Sequence, residues 1–80
     1  MEITITGHAI ERMEKYNIRK EDLLETVRNP TITLGSHSNR HIFQRSINGY
    51  VIRAICEKVK NTIVIITVYK ARKDRYEIQI

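Results

Sequence analysis

The sequence predicts an α+β domain, with two N-terminal helices covering one face of an approximately four-stranded antiparallel sheet. Three observations lead there. Apolar residues recur at helical spacing over the first third of the chain, Asn29-Pro30 ends that pattern, and β-branched runs around Asn48-Gly49 follow it. Eighty residues leave room for a single domain, spanning 1–80, and for no second core.

Each element has a local reason. Ile3 and Ile5 alternate with Thr4 and Thr6, which reads as a short strand or extended lead-in. Thr6 is placed to cap a helix starting near Gly7, because its hydroxyl can accept from an orphan N–H of the first turn. Over residues 8–16, Ala9, Ile10, Met13 and Tyr16 fill one arc at about 100° per residue, with His8, Glu11, Arg12 and Lys15 on the other side. Asn17 is the expected stop. A second helix is expected from about Arg19 to Arg28, with Leu23, Leu24 and Val27 as its apolar face. Glu21 and Asp22 in its first turn and Arg28 in its last suit the helix dipole. Asn29 precedes Pro30 and is thereby pushed out of the helical region.

After Pro30 the period becomes strand-like. Thr31–Leu34 is short and β-branched, and Gly35-Ser36-His37-Ser38-Asn39 is a loop by composition. Arg40–Ile47 and Tyr50–Val59 flank Asn48-Gly49, a strong signal for a two-residue hairpin turn. Thr62–Tyr69 is nearly all β-branched and reads as a central strand buried on both faces. Lys70–Arg75 is charged, and Tyr76–Ile80 alternates like an edge strand, able to extend the sheet or to join a homodimer.

The Asn48-Gly49 turn pairs Ile47 with Tyr50, Arg45 with Ile52, Gln44 with Arg53 and Phe43 with Ala54, and directly paired residues share a face. Phe43, Ile52, Ala54 and Cys56 then form the inner face. Arg53 points outward with Arg40 and Gln44, while His41 and Arg45 fall on the inner parity. At Lys60-Asn61 a two- or four-residue loop would set Thr67 beside Ala54 and Tyr69 beside Ile52. A three-residue loop is expected instead, which sets Thr67 beside Arg53 on the open face and buries Val64, Ile66 and Val68 together.

Composition narrows the function classes. Fourteen Lys and Arg against nine Asp and Glu give a net charge of +5. From residue 28 to 53 the chain carries Arg28, Arg40, Arg45 and Arg53 and no acid. That pattern points to a polyanion, nucleic acid or an acidic protein, against the plain reading of a soluble basic surface. The single cysteine excludes an internal disulfide and a multi-cysteine zinc site. The longest apolar stretch is far shorter than the about 20 residues that span a bilayer, so no membrane partner is expected. Met1-Glu2-Ile3-Thr4 has no basic region followed by an apolar one, so no secretory signal is expected and a reduced cytoplasmic setting fits.

Few residues can carry chemistry. His8 and Arg12 are neighbours at helical spacing: a titratable imidazole beside a fixed cation, or simply an exposed helix face. RNA supplies its own nucleophile, the 2′-hydroxyl, so its cleavage needs only a base, an acid and charge stabilisation at phosphorus. Arg40, His41, Arg45 and Arg53 lie on one hairpin, as phosphate ligands or as surface charge that blunts edge pairing. Tyr69 has a hydroxyl for a phosphate and a ring for a base, although it and Thr67 also suit a strand. His37 and His41 have a metal-like spacing, but on a loop and strand it does not bring them together, and no third ligand is near. Cys56 reads as a small core residue. No metal site and no cofactor are expected.

Thr6-Gly7-His8-Ala9, then Glu11-Arg12-Met13, Tyr16-Asn17-Ile18, Glu21-Asp22-Leu23 and Arg28-Asn29-Pro30, followed by the strands Gly49–Arg53 and Val64–Tyr69, resemble a family of short prokaryotic domains of unknown function. Those domains look like members of the RelE/ParE-type toxin fold, which is related to barnase-like and EndoU-like ribonucleases. The resemblance implies helices on one face of a curved antiparallel sheet, with the active surface opposite or at its edge. It also implies a metal-independent endoribonuclease of a toxin–antitoxin type system. It carries over His8 as general acid or base, Arg12 and Arg53 as phosphate ligands, and Thr67 as the group orienting a phosphate oxygen or the imidazole. Charge and placement add Arg40, His41, Arg45 and Tyr69 as RNA contacts. The alternative is a non-catalytic RelE/ParE-like module that inhibits a protein target or binds nucleic acid. The expected partners are RNA or ribosome-bound RNA and an acidic antitoxin protein.

Overall fold

A computed structural model describes residues 2–35 and 39–72. His37 and the alternating segment Tyr76–Ile80 lie outside the described residues. The elements run β1 (Glu2–Ile5), α1 (Gly7–Tyr16), α2 (Lys20–Arg28), β2 (Ile32–Gly35), β3 (Arg40–Ile47), β4 (Tyr50–Val59) and β5 (Thr62–Arg72).

These form one sheet of order β1-β5-β4-β3-β2, with both helices on the same face. The architecture is α+β, but the sheet has five strands and is mixed, where the sequence predicts about four, all antiparallel. The difference is β1, which pairs parallel to β5 from Glu2↔Thr62 to Ile5↔Ile65. Its partner lies sixty residues downstream, so no local turn signal announces the pairing. Among the described residues no helix is long and apolar enough to cross a membrane.

α1 starts on a side-chain cap and both helices stop on backbone bonds, while α2 starts at Arg19 with no side-chain cap. Ala9 N donates to the Thr6 hydroxyl at 3.1 Å, the expected cap. At the other end of α1, Asn17 adopts φ 54° and ψ 52°. Asn17 N donates to Glu14 O at 3.3 Å and Ile18 N to Met13 O at 2.8 Å, the paired bonds of a Schellman stop. Ile18 and Met13 then both pack into the core. α1 buries Ala9 and partly buries Met13 and Tyr16, whereas Ile10 stays 46% exposed. Ile10, expected on the apolar face, instead lines a groove with Ile5, Met13 and Ile18. In α2, Leu23 and Val27 are buried together with Thr26, whose hydroxyl donates to Asp22 O at 2.8 Å.

The β3–β4 register runs from Ile47↔Tyr50 through Arg45↔Ile52, Gln44↔Arg53 and Phe43↔Ala54 to Arg40↔Glu57. The turn uses φ 50° at Asn48 and φ 82° at Gly49, two positive values that the asparagine-glycine pair accepts at least cost. Phe43, Ile52, Ala54, Cys56, Ile63, Ile65 and Val68 pack under the helices as one apolar core.

Between β4 and β5 the register shifts. Val59 pairs with Thr62 around a two-residue turn, Cys56 pairs with Ile65, and Ile55 pairs with Thr67, leaving Ile66 as the extra residue of a β-bulge. The three-residue loop expected at Lys60-Asn61 is therefore corrected. Thr67 does reach the open face, but the bulge carries it there, opposite Ile55 rather than Arg53. Val64 pairs with Glu57 on that same open side, and Ile63 and Ile65 take the core positions. β5 also runs on to Arg72 through residues expected to be only a charged segment.

Candidate functional site

The local design begins at Thr6. Besides capping α1, its hydroxyl lies 2.9 Å from Ile65 O and 3.0 Å from Ile66 O, and Thr6 N donates to Ile65 O at 3.2 Å. One side chain thus joins the start of α1 to the bulge in β5. The far end of α1 is tied to the same strand, where Lys70 Nζ donates to Asn17 O at 3.3 Å. His8 follows the clamp by two residues on the helix, and Thr67 follows it directly on the strand.

His8 is exposed and Arg12 half-buried. Arg12 Nε donates to His8 Nε2 at 3.5 Å, a long bond that leaves the imidazole easily displaced. In this contact Nε2 is the acceptor, which sets an imidazole beside a guanidinium on the exposed side of α1.

Arg53, Gln44, Tyr69 and Thr67 share the face away from the helices, since Gln44 pairs with Arg53, Arg53 with Tyr69, and Ile55, two residues on, with Thr67. Arg53 Nε donates to Gln44 Oε1 at 2.9 Å, and Nη2 donates to the same oxygen. Arg53 Nη1 reaches the Tyr69 hydroxyl at 3.4 Å. Gln44 is 2% exposed, and its buried amide oxygen is satisfied by this contact.

The other sequence-derived candidates do not join this row. Arg45 points to the helix-covered face, where Nη1 donates to Asn29 O at 2.6 Å and Nη2 lies 3.9 Å from Glu25 Oε1. Asn29 Nδ2 donates to that same Glu25 oxygen at 3.1 Å, so Arg45 grips the end of α2. His41 lies on the inner parity and stacks on Phe43 at 6.2 Å between ring centroids. Arg40 is exposed on the open face, directly across from Glu57. The acid-free window from residue 28 to 53 is therefore acid-free only along the chain: Glu25 and Glu57 approach it in space.

Cys56 is fully buried, and desolvation pushes its thiol up to about 12. A thiol so placed is protonated at neutral pH and is no nucleophile. Among the described residues no group of three or more His, Cys, Asp and Glu side chains comes together.

Sequence reasoning put Gln44 on the open face but gave it no task, and it gave Thr6 only a capping role. The readable signal for Gln44 was the hairpin register, which sets a neutral hydrogen-bonding side chain opposite an arginine in mid-sheet. Nothing local marks the clamp of Thr6 onto Ile65 and Ile66.

No curated protein and no solved structure matches the chain. One family model does, over residues 5–70, and its span includes the Thr6 clamp, the His8–Arg12 pair and the Arg53–Gln44–Tyr69 row. The chain belongs to the family described as domain of unknown function DUF4258.

Proposed function

We propose that this domain is a metal-independent endoribonuclease of the toxin type, built on a RelE/ParE-like fold. The observation that carries the reading is the Thr6 clamp. It ties the helix turn that carries His8 to the bulge preceding Thr67. His8 and Arg12 stand on α1, on the helix side of the sheet, and Thr67, Tyr69 and Arg53 on the open face. In this reading the RNA strand passes from one to the other at the Thr6 junction and so meets an imidazole, two guanidiniums and two hydroxyls, the set that transesterification requires.

In this reading a base takes the proton of the 2′-hydroxyl. The 2′-oxygen then forms a bond to phosphorus as the P–O5′ bond breaks. The departing 5′-oxygen takes a proton, and a 2′,3′-cyclic phosphate remains. His8 Nε2 moves one of those protons once substrate displaces Arg12. Arg12 and Arg53 hold the phosphate, and Thr67 orients its oxygen. The substrate is RNA, free or on the ribosome, and an acidic antitoxin protein is the partner that neutralises the basic surface.

The test is incubation of antitoxin-free protein with naked RNA and with ribosomes in EDTA. Cleavage ending in a 2′,3′-cyclic phosphate is expected from the wild type, and about 100-fold or more slower from a folded His8→Ala. Intact RNA in both assays would sink the nuclease reading.

The long His8–Arg12 contact favours one second reading, a non-catalytic binding module, because such a module needs the basic surface but not the imidazole. Target binding that survives His8→Ala and fails in Arg40→Ala would select it. Arg45 is the wrong probe, since it holds α2.

A further inference from the structure

We infer that Gln44 is a positioning residue for Arg53, presenting its guanidinium in one fixed orientation to an RNA phosphodiester; the phosphodiester rests on the nuclease reading above. Gln44 sits in the middle of the sheet, hydrogen-bonded into β2 and β4. Its backbone pairs with Ile32 on one side and Arg53 on the other, and Thr31 N donates to its carbonyl at 2.8 Å. Its side chain is buried, and the one acceptor Oε1 takes both Nε and Nη2 of Arg53.

A guanidinium is a rigid planar fork, so seizing one edge at two nitrogens sets the direction of every other N–H. Nη1 is directed toward the Tyr69 hydroxyl at 3.4 Å, which fixes the plane from a second side. The choice of amide matters as much as its position. A carboxylate here would hold the same edge but add a negative charge beside the group meant to attract phosphate. Glutamine orients Arg53 without opposing it. A flexible arginine in an apolar surround would reach the same place only part of the time, and misplacement by about 1 Å costs on the order of 100-fold in rate.

The test compares Gln44→Met, which keeps length and loses the acceptor, with Gln44→Glu, which keeps the acceptor and adds charge. The first readout is the Arg53 Nε–H resonance in ¹⁵N spectra of the whole chain. A distinct, slowly exchanging signal is expected in the wild type and in Gln44→Glu, and a fast-exchanging one in Gln44→Met. The second readout is cleavage kinetics. Gln44→Met should lower kcat by about 10- to 100-fold with little change in KM, whereas Gln44→Glu should raise KM. The double variant Gln44→Met/Arg53→Ala should be no slower than Arg53→Ala alone. An Nε–H signal unchanged in Gln44→Met, or fully additive losses in the double variant, would overturn the inference. If the wild type leaves RNA intact, the nuclease reading fails by itself, and Arg53 positioning is still decided by the Nε–H signal.

Discussion

The two faces of the sheet use arginine in opposite ways. Arg45 and Arg53 sit on paired strands, and both look like members of one basic hairpin. Arg45 falls on the helix-covered face and is committed to Asn29 O and Glu25, where it closes the end of α2. Arg53 falls on the open face and is held by Gln44 and Tyr69, a neutral amide and a hydroxyl. One arginine maintains the fold against a carboxylate. The other has a neutral amide and a hydroxyl among its partners. Parity in a strand, not position in a charge run, separates the two roles.

The largest contrast between the faces should appear in activity. Arg53→Ala is expected to slow RNA cleavage by roughly 100-fold, the scale for losing one donor to a developing charge, and to lower stability by about 1–3 kcal/mol because the buried Gln44 Oε1 loses its donor. Arg45→Ala should leave cleavage near wild type and lower stability by about 1 kcal/mol, less than the usual hydrogen bond to a charged group because the side chain is partly solvated. Denaturant titration and single-turnover cleavage on both variants read the contrast. Equal losses of activity would erase it.

The helix-covered face also carries a pH signature. Burial raises the Cys56 thiol from its ordinary value to about 12, so the folded state favours the neutral form. The unfolded chain ionises first, near pH 9. The stabilisation is thus complete below about pH 9 and is lost as pH rises toward 12, at no more than about 1.4 kcal/mol per pH unit. The difference in unfolding free energy between wild type and Cys56→Ala should be flat from pH 6 to 8 and shrink above pH 9. A difference that stays constant to pH 11 would place Cys56 in contact with solvent.

Thr6 bridges the two faces, and its removal should be felt on both. Thr6→Ala loses the α1 cap and the bonds to Ile65 O and Ile66 O, at a cost of about 1–2 kcal/mol. Thr6→Ser retains the hydroxyl and should recover most of that. If cleavage by Thr6→Ala at a temperature where it is fully folded equals wild type, the clamp does not align His8 with Thr67.

What could be read ahead of the structure follows how locally each feature is encoded. The β3–β4 register was legible residue by residue, because a two-residue asparagine-glycine turn admits one pairing and the pleat fixes the rest. The two helices and their ends were legible for the same reason: Thr6, Asn17 and Pro30 act on backbone groups within a few residues. The parallel docking of β1 was not, since its partner strand lies at the other end of the domain. Nor was the bulge at Ile66. It interrupts a run of similar β-branched residues, and its carbonyls are engaged by Thr6, which is distant in sequence. Of the candidate site, the face of Arg53, Arg40 and Gln44 was legible from parity. The engagement of Arg45 by Glu25 was not, because it depends on where α2 ends above the sheet.

The smallest expected effect is also the finest test of the comparison between faces. If RNA lies on the open face and passes the Thr6 junction to α1, Arg40, Arg53 and Arg12 supply about three phosphate contacts, and the log–log salt dependence of single-strand binding should have a slope of roughly −2. Arg40→Ala should make the slope shallower by about 0.7, one contact, without altering sequence preference. Arg45→Ala should leave it unchanged once the protein is folded, because that guanidinium already serves Glu25 and Asn29. His8→Ala should also leave it nearly unchanged, since His8 moves a proton in the proposed reaction and is not one of the phosphate ligands. The measurement is fluorescence anisotropy of a labelled non-cleavable oligonucleotide at several salt concentrations. Equal changes from Arg40→Ala and Arg45→Ala would mean that the ligand reaches around the sheet edge, and sorting arginines by face would no longer separate binding from folding.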